Sequence, residues 1–122
     1  MTKKITIDFV GNDPENDEFV LFLVEEGPWE NSSSEDRLRV IQDRLYNTVD
    51  VAIDGILFEK YPNQRGRKVR IQLDCYDPPS DLIKQLVNAV DQFVNNSEEY
   101  QSDIKNRKNV ASISFTYRED RL

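Results

Sequence analysis

The side chains with the most obvious chemical potential fall in two blocks of opposite sign. Residues 59–70 read EKYPNQRGRKVR and place Lys60, Arg65, Arg67, Lys68 and Arg70 within one turn and the start of a strand. Guanidinium and ammonium groups at that density are the donor set of a phosphate site, and Tyr61 and Tyr76 stand near enough to supply stacking rings. Residues 1–36 are the counterweight. They carry Asp8, Asp13, Glu15, Asp17, Glu18, Glu25, Glu26, Glu30, Glu35 and Asp36 against Lys3 and Lys4 alone. Such a field repels nucleic acid and attracts cationic partners in a salt-dependent way, although solubility by itself also accounts for it. The whole chain has a net charge of −7 and no second basic block, so the basic run reads as a structural turn whose Lys68 and Arg70 pair with acids on neighbouring strands.

Several reaction classes lose their residues. The chain has no histidine, which removes Ser-His-Asp and Cys-His nucleophiles, imidazole acid-base chemistry and the usual mixed-ligand zinc sites. Cys75 is the single cysteine and lies on the inward parity of a strand, where it reads as a small apolar core residue. The alternation Asp13, Glu15, Asp17 imitates a calcium loop, yet Glu18 stands where the turn glycine belongs and Val24 where the closing glutamate belongs. Acids are plentiful, but no spacing singles out an acid and a base. Gly11, Gly27, Gly55 and Gly66 are too far apart for a phosphate-cradling loop. The expectation is a protein without catalytic activity, cofactor or metal, and without nucleic-acid or membrane partners. Trp29, between Pro28 and Glu30, is either an exposed aromatic anchor in an acidic rim or a staple ahead of a helix.

The 122 residues suit one domain with a single core. No apolar run is long enough to span a bilayer, MTKKITIDFVG lacks a signal core, and one cysteine cannot form an internal disulfide; the expected compartment is the cytoplasm.

Hydrophobic periodicity supplies the elements that would position these groups. KITIDFV, residues 4–10, alternates Ile5, Ile7 and Phe9 against polar neighbours, and predicts a first strand. GNDPENDE predicts a turn, followed by the continuous run Phe19 to Val24, a second strand apolar on both faces that needs a central position or a covering partner. Ser32 with Glu35 has capping-box spacing, and Leu38, Ile41, Leu45, Val49, Ala52, Ile53 and Ile56 form a helical stripe that Gly55 ends or interrupts. Val69, Ile71, Leu73 and Cys75 alternate in a third strand. After DPPSD, with Asp77 or Ser80 as the cap, Leu82, Ile83, Leu86, Val87, Val90, Phe93 and Val94 predict a second helix facing the core. The polar stretch 95–109 predicts a frayed helix end or a loop, and Ala111, Ile113, Phe115 and Tyr117 alternate in a fourth strand. The order ββαβαβ predicts an α+β two-layer sandwich, with a mixed four-stranded sheet and two helices on one face.

The ordered features IDFVGNDPENDEFVLFLVEEGPW and RLRVIQDRLYNTVDVAIDGILFEKYPNQRGRKVRIQLDCYDPP are similar to a family of small uncharacterised bacterial proteins, over roughly residues 5–94. Small acidic proteins of this general kind include immunity proteins of contact-dependent or polymorphic toxin systems. The resemblance implies a fold and a bacterial source, with no established activity; taken with the acidic field, the expectation is a toxin-neutralising binding protein that covers the cationic face of a cognate toxin, such as a nuclease. Asp13, Glu15, Asp17, Glu25, Glu26, Trp29 and Glu30 are the expected contact residues. The alternative expectation is a self-associating structural or adaptor domain, a homodimer through the second face of residues 19–24.

Overall fold

The computed structural model describes residues 6–26, 34–76, 78 and 80–120. Its strands are β1 (Phe9–Asp13), β2 (Glu18–Glu25), β3 (Lys68–Tyr76) and β4 (Ser112–Asp120), and its helices are α1 (Ser34–Ile53), α2 (Leu57–Lys60), α3 (Ser80–Asn96) and α4 (Glu98–Arg107). The sheet order is β1-β2-β3-β4, with β1 antiparallel to β2 and the two helical crossovers making β2, β3 and β4 parallel. The mixed four-stranded sheet of an α+β fold is therefore present, with β2 in the interior position that its apolar composition requires.

Strand alternation decides which residues meet the helices. Phe19, Leu21 and Leu23 of β2, Val69, Ile71, Leu73 and Cys75 of β3, and Ile113 of β4 are buried on one face. Against them pack Ile41, Leu45, Val49, Ala52 and Ile53 of α1 and Ile83, Val87, Val90 and Val94 of α3, each at helical spacing. Glu35 and Asp36 sit in the first turn of α1, where the helix dipole favours carboxylates. Ser32, half of the expected capping box, and Asp77, one expected cap of α3, lie outside the described residues.

β1 differs from the expectation. Among the described residues it runs Phe9–Asp13, with residues 6–8 ahead of it outside the strand, and residues 4 and 5 of the expected span lie outside the described residues. Asp13 organises the turn that follows, its Oδ1 accepting from the backbone amides of Glu15 (3.2 Å) and Asn16 (3.4 Å) and its Oδ2 from Asn16 Nδ2 (2.8 Å). Gly11 is thus a strand residue opposite Val20, and a Cβ there would come within 3.2 Å of the Phe22 ring. Phe9 correspondingly does not face the core. The pairing Val10↔Leu21 turns Val10 inward and Phe9 outward, where it is 52% exposed and stacked on Phe22 at 4.5 Å and 16°.

Two further departures concern helices. Residues 95–109 are not a loop: α4 is capped by the Ser97 hydroxyl, which accepts from the Tyr100 amide at 3.3 Å, and ends at Lys108 in the left-handed conformation. Glu98 and Glu99 at its start and Lys105 and Arg107 at its end suit the dipole, whereas Ile104 is its only buried residue, so hydropathy carries almost none of its signal. Leu82 and Phe93 of α3 are exposed at 46% and 57%, and stand outside the core stripe in which the periodicity placed them.

The end of α1 is tied down by two contacts. Gly55, at φ +88°, reverses the chain, and Asn109 Nδ2 donates to the Ile53 carbonyl at 2.7 Å, capping the helix from the approach to β4. A Cβ on Gly55 would lie 2.9 Å from that nitrogen. Gly55→Ala is therefore expected to lower unfolding free energy by about 1–3 kcal/mol, through positive φ and displacement of Asn109, measured by urea denaturation.

The middle of α1 is held by Arg44. Its guanidinium donates to the Thr6 carbonyl (Nε 3.0 Å, Nη2 2.6 Å), the Val24 carbonyl (3.1 Å), Glu25 Oε1 (3.0 Å) and Asp8 Oδ2 (2.6 Å). Glu25 faces the helix layer and also pairs with Arg37 at 3.2 Å, while Asp8 Oδ2 accepts from the Val24 amide at 2.6 Å. Arg44→Met keeps the stem and removes every donor; the expected loss is about 2–4 kcal/mol, read from the same denaturation curves.

Candidate functional site

The acids expected to form a contact surface have unequal fates. Asp13 pairs with Arg70 at 2.9 Å, and Glu18 joins the same guanidinium at 3.3 Å on the sheet face away from the helices. The Asn16 side chain, followed by the neighbouring amide and Arg70, holds the Asp13 carboxyl below its ordinary pKa. Asp17, at φ 54°, lies 3.3 Å from Arg67, which also bonds Asn12 and Gln64. Glu25 is buried in the Arg44 network. Glu15 and Glu26 face solvent. Trp29 and Glu30 lie outside the described residues.

The basic run is the other half of this arrangement. Arg65 donates to Asn109 Oδ1 and covers the Phe58 ring at 5.7 Å, Lys60 stands 5.6 Å over Tyr61, and Arg67 and Arg70 reach the acids of the β1–β2 hairpin. Lys68 is exposed, with no ion pair among the described residues. Two charged blocks far apart in sequence thus bind each other across the sheet, because β2 and β3 are parallel neighbours in the register Glu18↔Lys68 and Val20↔Arg70.

Cys75 is fully buried, and burial, then Glu25, Asp74 and Glu119, push its thiol up to about 12. It remains a protonated core residue, not a nucleophile. Among the described residues no three acids or cysteines gather as a metal-ligand set.

A cluster of aromatic rings lies on the helix layer. Phe93 of α3 meets Tyr46 of α1 at 5.9 Å and 90°, and Tyr100 of α4 at 6.0 Å and 81°. Both are edge-to-face contacts, which the ring quadrupole favours. Three helices therefore converge on one ring that is more than half exposed. The tyrosines are half-buried and pack on the core, which fixes the geometry in which Phe93 is presented. Burial, then the charge of Asp50, pushes the Tyr100 hydroxyl up to about 12, and Asp50 also accepts its hydrogen bond; burial likewise raises Tyr46. The patch is aromatic, hydroxylated and edged by the carboxylates of Asp50 and Glu99.

Residue periodicity contains a signal for this surface that the core stripe obscures. In α3, Ile83, Val87, Val90 and Val94 are the buried set, whereas Leu82, Leu86 and Phe93, four and seven residues apart, form an adjacent and more exposed stripe. Tyr46 and Tyr100 have no such signal, since their convergence depends on α4.

The raised Tyr100 pKa has a defined linkage. The native state retains the phenolic proton above the ordinary value of 10, so this contribution to stability is complete below pH 10 and is lost as pH rises towards about 12. Denaturation midpoints are expected to fall across that window, and Tyr100→Phe is expected to flatten the fall.

Among the described residues, no helix is long and apolar enough to cross a membrane. Comparison with curated proteins and with solved structures finds no match. A family described as of unknown function, DUF6572, matches residues 1–108, a span that includes the hairpin, the Arg44 network and all three rings of the helix-layer cluster but not β4. The chain belongs to this family of unknown function.

Proposed function

We propose that the protein is a non-catalytic binding protein of the immunity type, which neutralises a cationic protein toxin by seating it on the Phe93 cluster. The observation that carries this reading is the exposure of Phe93 between two tyrosines that are held by the core and edged by acids. A fixed aromatic ring with polar, charged surroundings is the composition of an interface centre, where a few residues supply most of the affinity. The net charge of −7 supplies the long-range part: it steers a cationic surface towards the protein and accelerates encounter at low salt. Glu15 and Glu26 contribute to this field from solvent, whereas Asp13, Asp17 and Glu25 spend much of theirs on internal arginines.

The non-catalytic part rests on residue chemistry. Imidazole is absent from the sequence, and the only thiol is buried and protonated. The second face of residues 19–24, offered as a self-association surface, is partly filled within the chain: Val20 is buried and Phe22 lies under Phe9.

A panel of cationic nuclease toxin domains, beginning with any encoded beside this gene, tests the reading by titration and by inhibition of cleavage. The expected outcome is a one-to-one inhibitory complex whose association slows as salt rises, and which Phe93→Ala weakens by about 30-fold. No complex at low salt across the panel, or a complex indifferent to Phe93→Ala, would reject it.

A further inference from the structure

β4 is a nine-residue edge strand, paired along its whole length with β3 on one side and, among the described residues, with nothing on the other. Natural edges are usually blunted by shortness, proline, lysine or a bulge. β1, the opposite edge, has five residues and runs into a turn containing Pro14. β4, SISFTYRED, has neither proline nor lysine, its charges Arg118, Glu119 and Asp120 are confined to its last three residues, and its register runs from Lys68↔Ser112 to Tyr76↔Asp120 without a bulge.

We propose that β4 pairs antiparallel with β4 of a second copy about a two-fold axis at Thr116, continuing the sheet through a homodimer. The strand is self-complementary in that register. Ser112 faces Asp120, Ser114 faces Arg118 and Thr116 faces its own copy on the outer sheet face, so each charge meets a hydroxyl and no like charges oppose. On the helix-side face Phe115 meets Tyr117 twice, an aromatic cross-strand pair of the kind that stabilises antiparallel ladders. Phe115 and Tyr117 are only half-buried, although Ile71 and Leu73 beside them in β3 are buried, and the second copy's rings would cover the remaining half. Ile113 against Glu119 is the poorest pair, and it falls towards the ends, where the Glu119 carboxylate already accepts the Tyr117 hydroxyl at 3.0 Å.

Neighbouring registers are worse. An axis at Phe115 sets Val110 and Ala111 opposite Asp120 and Glu119, and an axis at Tyr117 sets Phe115 opposite Glu119. Only the Thr116 axis pairs all nine residues of the strand. The pairing uses the sheet edge and not the Phe93 surface, so it stands apart from the partner reading and survives its failure.

Sedimentation velocity on the full chain tests it. The wild type is expected to pass from 14.3 kDa towards twice that mass as concentration rises. Thr116 is exposed, so Thr116→Lys and Thr116→Glu should each keep the wild-type circular dichroism while remaining at the single-chain mass, because like charges then meet on the axis. Mixing the two variants should restore the doubled mass, as lysine meets glutamate. A wild type that stays monomeric into the millimolar range, single variants that dimerise as the wild type does, or a mixture that stays monomeric would each overturn the proposal.

Discussion

The guanidinium of Arg44 is the contact on which the arrangement of layers depends. A helix laid on a sheet is free to slide along its apolar stripe, since dispersion contacts between branched side chains are weakly directional. Arg44 removes that freedom by addressing the segment before β1, the last residues of β2 and the Glu25 carboxylate from one planar fork. Once α1 is set, Tyr46 follows two residues later, and the position of the ring against which Phe93 packs is set with it. Desolvating so many charges is tolerable because Glu25 has a second cation in Arg37 and Asp8 has a backbone donor in Val24.

Charge in this protein is partitioned by topology. The acidic beginning and the basic middle of the sequence look like two surfaces, but parallel pairing of β2 with β3 brings them to the same end of the sheet, where Arg67 and Arg70 take up Asp17, Asp13 and Glu18. Asp17 is 89% exposed, so its pair with Arg67 contributes modestly, whereas the side chains of Arg70, Asp13 and Glu18 are at most 20% exposed and their attraction offsets a larger desolvation cost.

The fold was legible wherever one residue alternation or one helical stripe had a single possible partner. β3 is the clearest case, with Val69, Ile71, Leu73 and Cys75 all buried as their period of two requires. The start and parity of β1 were less legible, because Ile5, Ile7 and Phe9 alternate well in isolation, while the register is decided by an aspartate turn and by the neighbour strand. α4 was illegible to hydropathy for a different reason: its signals are a serine cap and end charges, which an apolar search does not weigh. The site inherits that blind spot. Phe93 looks like a core residue one position ahead of Val94, and only the placement of Tyr100 by α4 shows it to be the exposed middle of an aromatic trio.

α4 has one buried apolar residue, Ile104, to set against ten residues of ordered backbone. By the ordinary relation between buried contacts and local opening, it is the long element whose amides should exchange first, well before the strands of the central sheet. One of the three rings therefore rides on the least anchored helix. Whatever binds across Phe93 and Tyr100 together would also slow the exchange of α4, because each opening of that helix then costs the bound contact as well.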